Sequence, residues 1–170
     1  MSKLIAILRL LAIMLGLASA ANAATVKYDY DKSVDMREWK YVAWASETGR
    51  QSMKEQRIDD AVAAGFAAKG YFLVAERESA DFLIQWRATA WQDARVVGST
   101  WSPAFGRDFR VEREAMGTLV VTVVDRKTGK VAWKGMVTEA LADNPEQAEK
   151  RTAKAVEKLL KKFPSRVEGK

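Results

Sequence analysis

The chain contains no cysteine and no histidine. Without His there is no Ser–His or Cys–His nucleophile pair, no imidazole general base and no imidazole metal ligand. Without Cys as well, a zinc site would need carboxylates alone, outside the usual ligand sets. No Ser-x-x-Lys spacing beyond residue 23 offers a His-free catalytic pair. No disulfide can form, and at this length none is required: a domain of about 150 residues buries roughly two-thirds of its unfolded surface. The sequence also lacks internal repeats and low-complexity linkers, which points to one domain. These absences argue against an enzyme, and no catalytic, cofactor or metal residue stands out.

The first residues have a pattern of their own. Lys3 and Arg9 precede the apolar run LLAIMLGLAS, and the small residues ANAA follow. That order is the signature of a secretory signal peptide. The apolar run is about half the roughly 20 residues that span a bilayer. Cleavage is expected after Ala23, before Ala24, with Ala20 as the second choice. A bacterial lipoprotein would carry a Cys directly after its leader, and Ala24 stands there instead. The expectation is a periplasmic protein that is not lipid-anchored. Without Lys3 and Arg9, the 28 basic residues become 26 against 22 acidic ones, a net charge near +4. Such mild basicity suits loose attraction to anionic surfaces and is far from a nucleic-acid footprint.

Beyond the leader, apolar periodicity predicts the order β-β-α-β-β-β-β-α. TVKYDYD alternates Val26, Tyr28 and Tyr30 against Lys27 and Asp29, as a half-buried strand does. KYVAWA gives a second strand. Ile58, Ala61, Val62, Gly65 and Phe66 make one helical stripe, with Asp59, Asp60 and Lys69 pointing away. Ser52 and Glu55 fit a capping box, and Gly70 a left-handed stop. YFLVAE and DFLIQWRATAW follow as strands, the latter with Phe82, Ile84, Trp86, Ala88 and Ala90 facing in. TLVVTVV is apolar on both faces and should be central. In DRKTGK, Asp125 and Gly129 fit a hairpin turn, and Trp133 should pack. Asn144 caps a last helix with Pro145 at its first position, and Pro164 ends it. The predicted architecture is one α+β domain over residues 24–164. Its sheet is mostly antiparallel with two amphipathic helices on one face, and a tail follows over 165–170.

Several segments together carry a resemblance. TVKYDYD with YVAWA, then RIDDAVAAGFAAKGY, ADFLIQW, GTLVVTVVDRKTGKVAWKG and AVEKLLKKFP occur in the order typical of the bacterial domain of unknown function 4136 family. The chain resembles that family over about Val26 to Pro164. The resemblance implies a small exported envelope protein, often a lipoprotein, with no established activity, cofactor or catalytic residues. The missing lipid-accepting Cys departs from that pattern.

The candidate binding surface is the stretch from Gln92 to Arg110, which has no clear period and reads as a long loop. It holds Trp101, Phe105 and Arg107, with Trp91 at its base. Aromatic and Arg residues of this kind anchor interfaces. The alternative is that Trp101 and Phe105 fold back on the sheet. The expected partner is an envelope protein or glycan. The Lys-rich last helix suggests at most weak contact with anionic membrane, and a bare sheet face would permit a homodimer. The rival class is a carboxylate-only hydrolase acting on an envelope glycan, built from pairs such as Asp29 with Asp31, Asp59 with Asp60 or Glu112 with Glu114. Those pairs read as solvated.

Overall fold

In the computed structural model, the strands are β1 (Thr25–Tyr30), β2 (Tyr41–Trp44), β3 (Phe72–Leu73), β4 (Phe82–Ser102), β5 (Gly106–Asp125) and β6 (Val131–Ala140). The helices are α1 (Met53–Ala67) and α2 (Pro145–Leu160). The structure describes residues 24–46, 52–102, 106–142 and 144–166. The leader, including Ala23 at the expected cleavage point, lies outside the described residues, and so does Phe105.

The element order is the predicted one. All six strands form one sheet, ordered β1-β6-β5-β4-β2-β3. The β1–β6, β6–β5 and β5–β4 pairs are antiparallel, whereas β2 runs parallel to both β3 and β4. The parallel edge follows from connectivity. Helix α1 lies between β2 and β3, and such a crossover returns the chain in the same direction. The strand expected across YFLVAE shrinks to Phe72–Leu73.

Local signals hold both helices in place. The Ser52 side chain accepts from Glu55 N–H while the Glu55 carboxylate accepts from Ser52 N–H, closing the capping box. Gly70 takes φ +86°, where a side chain is disfavoured. Asn144 caps α2 through Gln147 N–H at 2.9 Å. The DRKTGK turn is built as expected: Asp125 Oδ1 accepts from Lys127 and Thr128 N–H, and Gly129 has φ +69°.

Both helices cover one face of the sheet. Phe82, Ile84, Val121, Val123, Trp133 and Val137 point there and are buried with Val62, Phe66, Val156, Leu159 and Phe163. Aromatic rings dominate this core. Phe163 stands edge-on to Phe66 at 5.2 Å and to Trp133 at 5.4 Å, and Tyr71 meets Phe82 at 5.3 Å. The opposite face has no covering layer among the described residues. There Gln85, Arg87 and Thr89 are exposed, and Val120, Val124 and Met136 are half-buried. Strand β5 sits inside the sheet between β4 and β6, as its two-sided apolar pattern requires.

The inward assignment of Ala88 and Ala90 and the outward assignment of Asp59 are corrected. Ala88 and Ala90 are exposed, because the helices end before they reach that part of β4. Tyr28 and Tyr30 lie on the helix side of edge strand β1 yet remain 47% and 45% exposed. Asp59 is not solvated: it is buried under α1, where its Oδ1 accepts from Trp86 Nε1 at 2.8 Å.

Candidate functional site

The stretch from Gln92 to Arg110 is not a loop. It is the outer part of a long β-hairpin, in register from Phe82 opposite Asp125 to Ser102 opposite Gly106. Other strands support only its root. β6 pairs with β5 between Met116 and Val124, and β2 pairs with β4 only at Phe82–Ile84. Beyond Trp91 and Met116 two strands continue alone. Eleven residues at about 3.3 Å each carry this arm about 35 Å past the sheet. One irregularity, between Val96 and Gly98, interrupts its register.

The arm sets the geometry of the candidate residues. Trp91 lies at the root opposite Met116 and is 43% exposed. Trp101 lies near the tip, its backbone paired with exposed Arg107. The register therefore joins Trp101 and Arg107 but leaves Trp91 about 33 Å away along the strand. These residues mark two ends of one rod rather than one cluster. Between them, Val96 and Val111 face each other across the ribbon and are both exposed. Ala115 carbonyl still accepts from Leu141 N–H, and beyond it, among the described residues, the outer backbone edges of both strands pair with no other strand, which is a template for pairing with another chain. Asp93, Arg107, Arg110, Glu112 and Arg113 keep these edges charged, a common way to prevent indiscriminate pairing.

A groove of about 800 Å³ opens at the root of the arm on the helix side, with Trp44, Trp86, Glu55, Asp59 and Arg87 among its lining residues. Glu55 and Asp59 stand one helical turn apart on α1. This convergence was hidden in the sequence, where Asp59 was paired with its neighbour Asp60 instead. Asp60 is exposed on another side of the helix. Both groove carboxylates have structural tasks: Glu55 closes the capping box and Asp59 holds the Trp86 indole. The other acidic pairs do not converge on a cleft. Asp31 turns back on Ser33, and Glu112 stands exposed on the arm. Among the described residues no cluster of three or more acidic side chains could hold a metal ion. Among them, too, no helix is long and apolar enough to cross a membrane. On α2, Lys150 pairs with Glu146 and Lys161 with Glu157, so the basic face is interleaved with acid.

The segment order, the fold and the hairpin turn agree with one sequence profile, which matches residues 26–165. The chain belongs to the DUF4136 family, a domain of unknown function. No curated protein matches the chain. Among solved structures, a PDZ domain protein from Parabacteroides distasonis is 16% identical with a TM-score of 0.58. The match covers 93% of this chain and 40% of that one, so the DUF4136 chain spans less than half of that protein. A PelC dodecamer from Paraburkholderia phytofirmans is 14% identical with a TM-score of 0.55, over 85% of this chain and all of that one. A DUF4136 family protein from Bacteroides thetaiotaomicron is 18% identical over 79% of this chain and 92% of that one, with a TM-score of 0.47.

Proposed function

We propose that this DUF4136 protein is a non-enzymatic protein of the bacterial periplasm that works by holding an envelope partner protein with its β4–β5 arm. The arm is the observation that carries this reading. A two-stranded ribbon is at best marginally stable in water without further packing. An arm about 35 Å long, with apolar Trp91, Val96 and Val111 exposed along it, is a docking element rather than a core element. The charged leader, its apolar run and its small-residue end support export, and Ala24 in place of Cys supports a protein free of lipid.

The test is to replace residues 94–113 by a short Asn-Gly turn joining Asp93 on β4 to its register partner Glu114 on β5. Envelope proteins are then cross-linked and captured with the intact and the shortened chain. Partner capture should disappear while the thermal transition is kept. Equal capture by both chains would refute the reading.

Two other readings have one observation each. The uncovered sheet face, with Val120, Val124 and Met136, suits self-association, and the related PelC fold occurs as a dodecamer. Light scattering across a concentration series decides it. The Glu55–Asp59 pair in the root groove suits a carboxylate hydrolase acting on an envelope glycan. Turnover that is abolished by Asp59→Asn would establish that chemistry and displace the binding role.

A further inference from the structure

A second groove, of about 610 Å³, lies at the end of the sheet away from the arm. Its size falls within the range of small-ligand sites, roughly 300–1,000 Å³. Its construction starts from a glycine. Gly135 stands opposite Tyr28 in the β1–β6 register, and a Cβ there would collide with the Trp133 ring. The indole lies in the space this glycine leaves, and Trp133 becomes part of the groove wall. Tyr28 and Tyr30 flank it on β1. Their rings are almost parallel, 11° apart in plane, with centroids 6.4 Å apart. Each tyrosine keeps nearly half of its surface exposed, so burial in the core does not account for them.

The charged side chains of the wall are four cations and one carboxylate, Asp35, set among uncharged residues such as Val34, Met36 and Pro164. Lys32 and Arg37 come from the segment after β1, and Lys161 and Lys162 from the end of α2. Arg37 is engaged by Asp35 at 2.9 Å and Lys161 by Glu157 at 2.9 Å. Among the described residues, Lys32 and Lys162 have no carboxylate in ion-pair range. Lys162 Nζ sits 5.9 Å from the Tyr28 ring centre. Parallel aromatic faces suit the flat, apolar C–H face of a pyranose ring. Unpaired ammonium groups beside them suit an anion carried by that ring. A cationic ligand would meet like charge.

We infer that the groove between β1 and the end of α2 is a binding site for an anionic saccharide: the pyranose ring lies on Tyr28 and Tyr30, and its carboxylate meets Lys162 and Lys32. The site is independent of the arm and stands whether or not the arm binds a partner.

The test is calorimetry with amide NMR on the protein as exported from the producing cell. The probes are trigalacturonate, its methyl ester and inorganic phosphate. Trigalacturonate should bind and shift the amides of Tyr28, Tyr30 and Lys162. The uncharged ester should bind at least about tenfold more weakly, and so should trigalacturonate to Tyr28→Ala, Tyr30→Ala and Lys162→Glu. These side chains are exposed, so the variants should keep the parent's melting temperature. A variant that does not is replaced by Tyr28→Leu or Lys162→Gln, with the same loss expected. No binding at millimolar trigalacturonate overturns the inference, as does unchanged affinity in the variants. Phosphate binding as tightly as the trisaccharide would reduce the site to a cation cluster and overturn it too.

Discussion

Replacing Gly135 by Ala tests the packing that joins the core to the β1 groove. The added Cβ would fall 2.7 Å from Leu159 Cδ1 and closer still to the Trp133 ring. Both neighbours are fully buried, and Trp133 is held edge-on by Phe163. Neither can move aside without disturbing the aromatic cluster. Overpacking of this kind costs about 1–3 kcal/mol. Ala also restricts the unfolded chain relative to Gly, which returns about 0.4–1 kcal/mol. The net expectation is a destabilisation of about 1–2 kcal/mol. With a urea m-value of about 2 kcal/mol/M, the midpoint should fall by about 0.5–1 M while m stays constant. Equilibrium urea unfolding followed by circular dichroism measures it. The closest clash is with the indole, so adding Trp133→Phe to the Ala variant should cost about 1 kcal/mol less than the sum of the two single changes. A midpoint that is unchanged or raised by Gly135→Ala refutes the packing argument, and strict additivity refutes its assignment to Trp133.

Tyr71 hydroxyl donates to Met36 carbonyl oxygen at 3.0 Å, with Pro164 carbonyl oxygen at 3.2 Å, and burial pushes its pKa up to about 12. A raised acid pKa stabilises the fold below the unfolded value near 10 and loses that contribution as pH climbs towards 12. Tyr71→Phe should cost about 1–2 kcal/mol at neutral pH and flatten the decline between pH 10 and 12 in a pH series of melts. Glu139 is half-buried beneath α2, and burial raises its pKa against the pull of Lys158 and Arg151. Its protonated form is favoured in the fold, so its contribution is present at acid pH and fades as pH rises through the folded value. Glu139→Gln should therefore raise the melting temperature at pH 7–8 and leave it unchanged near pH 3.

Much of the core was legible because burial writes a period into sequence. Val62 and Phe66 on α1, Phe82 and Ile84 on β4, and Val156 and Leu159 on α2 each recur at the spacing of their element, and all are buried. Turn chemistry was equally clear: Asp125 and Gly129 have one geometry in which both residue types are needed. The arm was not legible for the converse reason. From Gln92 to Arg110 every side chain whose burial is described is exposed, so nothing there selects alternation of apolar with polar residues. The sequence there looks aperiodic although the backbone is regular. Asp59 was misplaced because periodicity counts a carboxylate as outward and cannot see the Trp86 indole that awaits it from a strand 27 positions away. Tyr28 and Tyr30 were assigned to the covered face correctly. Their exposure depends on where α2 ends, which only the folded chain determines.

The central claim is that the arm is where this DUF4136 protein meets another molecule. Site-specific photo-crosslinking in producing cells tests it most directly, with the reactive group placed at Glu112 or Arg107 on the arm and, as control, at exposed Lys154 on α2. The account predicts discrete adducts from the arm positions and none from Lys154. Adducts from Lys154 alone, or no adduct from either arm position, would contradict it.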